Sequence, residues 1–100
     1  MKSSRTISEL ATIARDRYAR ELFAIETVAT AIEIRAEEGY RDLRLGQQHP
    51  FDLSRTPAAA NLEHWLEEQQ YRYAWYPTPP VTDPLYSPSS EDYLELAIFW

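Results

Sequence analysis

The chain has 100 residues, 44% hydrophobic and 26% charged, with no cysteine and a formal charge of −6 at pH 7. That length supports one hydrophobic core, so residues 1–100 read as a single domain, and the near-average composition argues against wholesale disorder. The longest apolar run, Leu96 to Trp100, is far short of the ~20 residues of a membrane span. No apolar stretch follows Met1 to suggest a secretory signal, and zero cysteines fit a reducing, cytoplasmic setting.

The first element in the chain reads as a long helix. Leu10, Ala14, Tyr18, Leu22, Ile25, Ala29, Ile32 and Ala36 recur at steps of three and four, the stripe of an amphipathic helix. Thr6-Ile7-Ser8-Glu9 fits a capping box and Gly39 a C-terminal stop, with no proline or glycine in residues 6–38. Val28, Thr30, Ile32 and Ile34 also alternate, which leaves a strand open for the last third. Ile7, Ile13 and Phe23 lie off the stripe and supply a second contact face. Residues 39–57 form a connector punctuated by Gly39, Gly46, Pro50 and Pro57.

Thr56-Pro57 then reads as an N-cap followed by a first-turn proline. A second helix is predicted over roughly 57–70, extending toward 75, with Leu62, Trp65, Leu66 and Gln69 on one side and Glu63, Glu67 and Glu68 mainly on the other. Pro77, Pro79, Pro80, Pro84 and Pro88 preclude an interior helix or central strand and predict an extended strap over 77–88. After it, Tyr93, Leu96, Ala97 and Trp100 share a helical face, while Leu94, Leu96, Ile98 and Trp100 alternate as in a strand. The expected fold is mainly α: a long N-terminal helix packed with a second helix, a proline strap and a short C-terminal helix. The alternative is α+β with a C-terminal strand. The expected core is Leu10, Tyr18, Leu22, Ile25, Ala29, Ile32, Leu62, Trp65 and Leu66.

Residues 1–50 balance their charges, whereas in residues 51–100 only Arg55 and Arg72 oppose the acids, so the whole −6 lies there. Such a surface repels nucleic acid and steers toward basic proteins; its plainer use is solubility. Catalytic patterns are missing. His49 and His64 stand in no zinc-binding spacing, two glycines cannot build a phosphate cradle, and no serine lies in a nucleophile-elbow setting. The chain is therefore read as non-enzymatic, without cofactor or metal. Tyr71-Arg72-Tyr73-Ala74-Trp75-Tyr76 packs four aromatics into six residues. These rings either fill the core or serve as interface anchors.

The Glu63, Glu67, Glu68 row and the Asp83, Glu91, Asp92, Glu95 tail give the chain its character. In length, acidity, lack of cysteine and lack of an active-site motif it resembles phage- and plasmid-encoded inhibitors, the anti-CRISPR proteins among them. That resemblance implies a host surveillance complex as target and no enzymatic activity. Glu63, Glu67, Glu68, Tyr73, Trp75, Tyr76, Asp83, Glu91 and Asp92 are the expected partner-binding residues. The expected partner is a protein with a basic surface, such as a host nucleoprotein complex, with no direct nucleic-acid or membrane binding. The competing reading is a homo-oligomeric helical adaptor, a homodimer paired through the first helix. A third, a DNA-binding or antitoxin-like module, would use Arg15, Arg17 and Arg20, which Asp16 and Glu21 offset.

Overall fold

The apolar stripe of residues 6–38 folds as two helices rather than one, α1 (Ser4–Leu22) and α2 (Ile25–Glu37). These come from a computed structural model that describes residues 3–47, 49, 51–77 and 93–100. The break falls at Phe23 and Ala24, where ψ swings to 15° and 123°, with no glycine or proline to mark it. Its cause is tertiary. Turning the chain there buries Phe23, Val28 and Ile32 at 2%, 1% and 4% exposure, each worth roughly 1.5–3 kcal/mol. The turn gives up only a few hydrogen bonds at a helix end. α1 also starts earlier than its capping box suggests: Ser3, not Thr6, is the N-cap, its hydroxyl accepting from the Thr6 N–H at 3.3 Å.

α2 ends as its glycine predicts. Gly39 takes φ +97° and donates to the Ala36 carbonyl, while Tyr40 donates to that of Arg35, the paired bonds of a Schellman motif. The connector then forms a strand that the sequence did not announce, β1 (Asp42–Arg44). α3 (Pro57–Glu68) starts as expected, with the Thr56 hydroxyl accepting from the Ala59 N–H at 3.3 Å and proline in the first turn. It ends before residue 70, because Gln70 adopts φ 64° and residues Arg72–Pro77 form β2.

The mainly-α expectation is overturned by the sheet. β3 (Leu94–Phe99) replaces the expected C-terminal helix and lies between the other two strands in the order β1-β3-β2, antiparallel to both. The fold is α+β. Register decides the faces, since opposed residues share a side. Leu43, Ile98 and Tyr73 align, as do Trp75 and Leu96, and these turn toward the helices. Arg44, Ala97 and Ala74 align on the outer face, with Tyr76 opposite Glu95. Leu96, Ala97 and Ile98 are all buried, as a central strand requires. The expected strap lies outside the described residues apart from Pro77, which closes β2.

The core gathers Ala19, Phe23, Val28, Ile32, Leu45, Leu53, Ala59, Leu62, Leu66, Leu96 and Ile98. Of the expected core, Ile32, Leu62 and Leu66 are buried, and Tyr18, Leu22 and Trp65 pack against them, with Ala29 half-buried. Leu10 and Ile25 are exposed instead. Leu10 belongs to a stretch, residues 3–13, in which every residue is exposed.

Candidate protein-binding surface

Glu63, Glu67 and Glu68 belong to the last two turns of α3, the helix whose other side buries Leu62 and Leu66 completely. Glu63 is half-buried, Glu67 and Glu68 exposed. The last turn holds no basic residue, so Glu67 and Glu68 stand at the negative end of the helix dipole, where each costs a few tenths of a kcal/mol. Gln70 and Tyr71 donate to the Glu67 and Leu66 carbonyls, the same Schellman pattern as at Gly39. Here glutamine holds the left-handed position, at a cost of about 1 kcal/mol relative to glycine. Both local preferences are overridden to place β2 directly after the acidic turn.

β2 then returns Tyr73 to that turn. Its hydroxyl donates to Glu67 Oε1 at 2.7 Å. This bond to Glu67, then burial, then the bond and charge of Glu63 push the phenol well above the usual tyrosine range. Tyr73 is thus a fixed proton donor that orients one carboxylate. His64 Nε2 lies 2.9 Å from Glu68 Oε1, one turn along the same helix. Tyr73 therefore positions Glu67, while Glu68 has only an exposed surface contact with His64.

The other expected residues do not converge on this patch. The Trp75 ring turns inward, edge-on to Phe23 at 5.8 Å, and serves the core. Tyr76 lies on the outer sheet face, 43% exposed, 6.5 Å from the Phe99 ring and with the Arg44 guanidinium 6.0 Å from its own. The six-residue aromatic run is therefore split by the alternation of a strand, Tyr73 and Trp75 on one face and Tyr76 on the other. Glu95, counted with the acidic tail, is committed internally: its side chain is 13% exposed, pairs with Arg44 at 3.1 Å and accepts from the Gln47 N–H at 3.2 Å. Asp83, Glu91 and Asp92 lie outside the described residues.

A cleft of about 300 Å³ opens between α1 and the connector, lined by Tyr18, Glu21, Leu22, Gly46, Gln47, His49, Phe51 and Leu53. His49 stacks on Phe51 at 5.5 Å and leans on Tyr18 at 4.4 Å, while the Arg15 guanidinium covers Phe51 at 4.5 Å. Gln47 Nε2 donates to the His49 and Phe51 carbonyls, pinning the loop. These contacts use His49 as an aromatic filler. Among the described residues no three His, Asp or Glu side chains gather as a metal site would require, and no helix is long and apolar enough to cross a membrane. No protein-family model matches the chain, nor does any curated protein or solved structure.

Proposed function

We propose that this protein is a non-enzymatic inhibitor or decoy, of the anti-CRISPR kind, acting in the cytoplasm. It docks the carboxylates of α3 into the basic groove of a nucleic-acid-handling host protein. The observation that carries this reading is the carboxylate turn itself. Glu67 and Glu68 occupy the negative end of a helix with no basic residue in its last turn, against the preference of the helix dipole, and Glu63 stands one turn before Glu67. Tyr73 donates to Glu67 and His64 contacts Glu68. Spaced anions on a rigid scaffold can occupy Arg and Lys side chains that otherwise hold phosphates. The concentration of negative charge in residues 51–100 adds a field that steers such a partner.

The test is capture from a bacterial lysate on immobilised protein, followed by purification of the bound species and titration. Glu67→Lys combined with Glu68→Lys is expected to weaken binding at least tenfold while leaving the circular dichroism spectrum unchanged, because both side chains are exposed and the fold loses one surface hydrogen bond from Tyr73. Double-stranded DNA or RNA is expected to displace the protein, and rising salt to weaken the complex. An undiminished affinity in the charge-reversed variant, or a complex indifferent to nucleic acid, would remove the decoy reading.

A further inference from the structure

The two edges of the sheet are finished differently, and the ladder fixes which backbone groups each one presents. The Trp100 N–H donates to the Arg41 carbonyl and the Leu45 N–H to that of Leu96. Both are directly opposed pairs in the β1–β3 register, so Leu96, Ile98 and Trp100 turn their backbone groups toward β1. Glu95, Ala97 and Phe99 therefore turn theirs toward β2, where they meet Tyr76, Ala74 and Arg72. That leaves Asp42 and Arg44 pointing off one edge, and Tyr73 and Trp75 off the other. The β1 edge is guarded. The Asp42 carbonyl accepts from Arg35 Nε at 3.1 Å, its carboxylate holds the same guanidinium at 3.5 Å, and the strand has three residues; short, charged edges resist pairing. β2 has six residues, and among the described residues nothing bonds the outward N–H and C=O groups of Tyr73 and Trp75. We propose that β2 pairs antiparallel with β2 of a second copy, centred on Ala74, joining the two sheets edge to edge.

The chemistry of β2 selects both the partner and the register. A symmetric pair can centre on Trp75, Tyr73 or Ala74. Centred on Trp75, it opposes Tyr73 to Pro77, which has no N–H for the Tyr73 carbonyl. Centred on Tyr73, it opposes Trp75 to Tyr71, whose N–H already donates to the Leu66 carbonyl. Centred on Ala74, it sets Tyr73 against the partner's Trp75, and every outward group of the two residues finds a mate. The side chains fit the same register. Ala74 meets its own copy at a non-hydrogen-bonded position, where Cα atoms approach to about 4.5 Å and small side chains are accommodated. Arg72, exposed, meets the ring of the partner's Tyr76, itself 43% exposed, as a cation over an aromatic face. The two-fold axis makes each contact twice. β2 thus carries both the small residue its own edge requires at the centre and the ring that Arg72 requires opposite, which identifies the occupant as a second copy.

Sedimentation equilibrium over a micromolar range is expected to return twice the 11.7 kDa chain mass. Rising salt should tighten this dimer, since each copy carries −6, the opposite of its effect on a complex with a basic partner. Ala74→Lys places like charges at the centre and is expected to sediment as a single chain with unchanged far-ultraviolet circular dichroism. Two measurements stand apart from that variant. In the wild type, amide exchange at Tyr73 and Trp75 should slow at least tenfold as concentration rises. The absence of cysteine also allows oxidation of single-cysteine variants. Ala74→Cys should cross-link copies efficiently. Arg72→Cys should not, since residue 72 lies four positions along the ladder from its own copy, roughly 13 Å at ~3.3 Å per residue, beyond disulfide reach. A wild-type protein that sediments as one chain at every concentration would overturn the proposal. So would equal cross-linking at residues 72 and 74, or exchange at Tyr73 and Trp75 that ignores concentration.

Discussion

The first turns of α1 and the body of α3 look alike as sequence and differ completely as structure. Each opens on a hydroxyl cap, Ser3 and Thr56, and each carries aliphatic residues at helical spacing. Yet Leu62 and Leu66 are wholly buried while Leu10 is 45% exposed. Amphipathic periodicity identifies a helix and the side that seeks cover, but says nothing of what supplies the cover. For α3 the cover is α1 and the sheet; for the start of α1 the same chain offers none among the described residues.

The largest expected effect sharpens that contrast. Leu66→Ala should cost about 2–5 kcal/mol by leaving a cavity, whereas Leu10→Ala should cost less than about 0.5 kcal/mol. Urea denaturation measures both. Equal losses would mean that the start of α1 is packed after all. A smaller effect of opposite sign is expected at the end of α3. Gln70→Gly relieves the left-handed backbone at φ 64° and should raise stability by about 0.5–1 kcal/mol. No gain would mean that the Gln70 side chain stabilises the turn by contacts of its own.

The smallest effect belongs to Tyr73 and appears only at alkaline pH. Its folded-state phenol titrates above the unfolded value of ~10, so its contribution to stability is complete below pH ~10. Above that, the unfolded chain ionises first, and the contribution falls as pH rises toward the folded value. Tyr73→Phe should flatten the decline of stability beyond pH ~10. Absorbance near 295 nm should show that one of the seven tyrosines titrates last in the wild type, and this late step should vanish in the variant. A titration curve identical in the two proteins would show that the Glu67 contact does not hold the proton.

Elements written in local chemistry were legible in the sequence. Thr56-Pro57 and Gly39 mark helix ends through backbone properties that require no tertiary context, and both are where they were expected. The spacing of Glu63 and Glu67 likewise placed two carboxylates on one helix edge. The break at Phe23 was not legible, because it is driven by the burial of Val28 and Ile32 against distant residues. β2 was missed for a related reason: Arg72 to Pro77 becomes a strand by pairing with Leu94 to Phe99, a partner many residues away. A strand-length alternation was nonetheless present in that segment, and reading it would have separated Tyr73 and Trp75 from Tyr76. The role of Glu95 depends on Arg44, and no local pattern links those two positions.

The place of β3 in the sheet has a consequence for how the protein is born. β1 and β2 join only through it, so neither strand has its partner when it leaves the ribosome. At about 5–20 residues per second, Leu94 is made several seconds after Arg44. In that interval Leu43 and Leu45 have helices to lean on but no ladder to join. Once residues 94–99 emerge, the shorter β2–β3 loop should close before the longer β1–β3 loop, since closing a longer loop costs more entropy. The nascent chain therefore carries unpaired strand edges until β3 is made, and synonymous codons that slow translation ahead of β3 should lower its soluble yield.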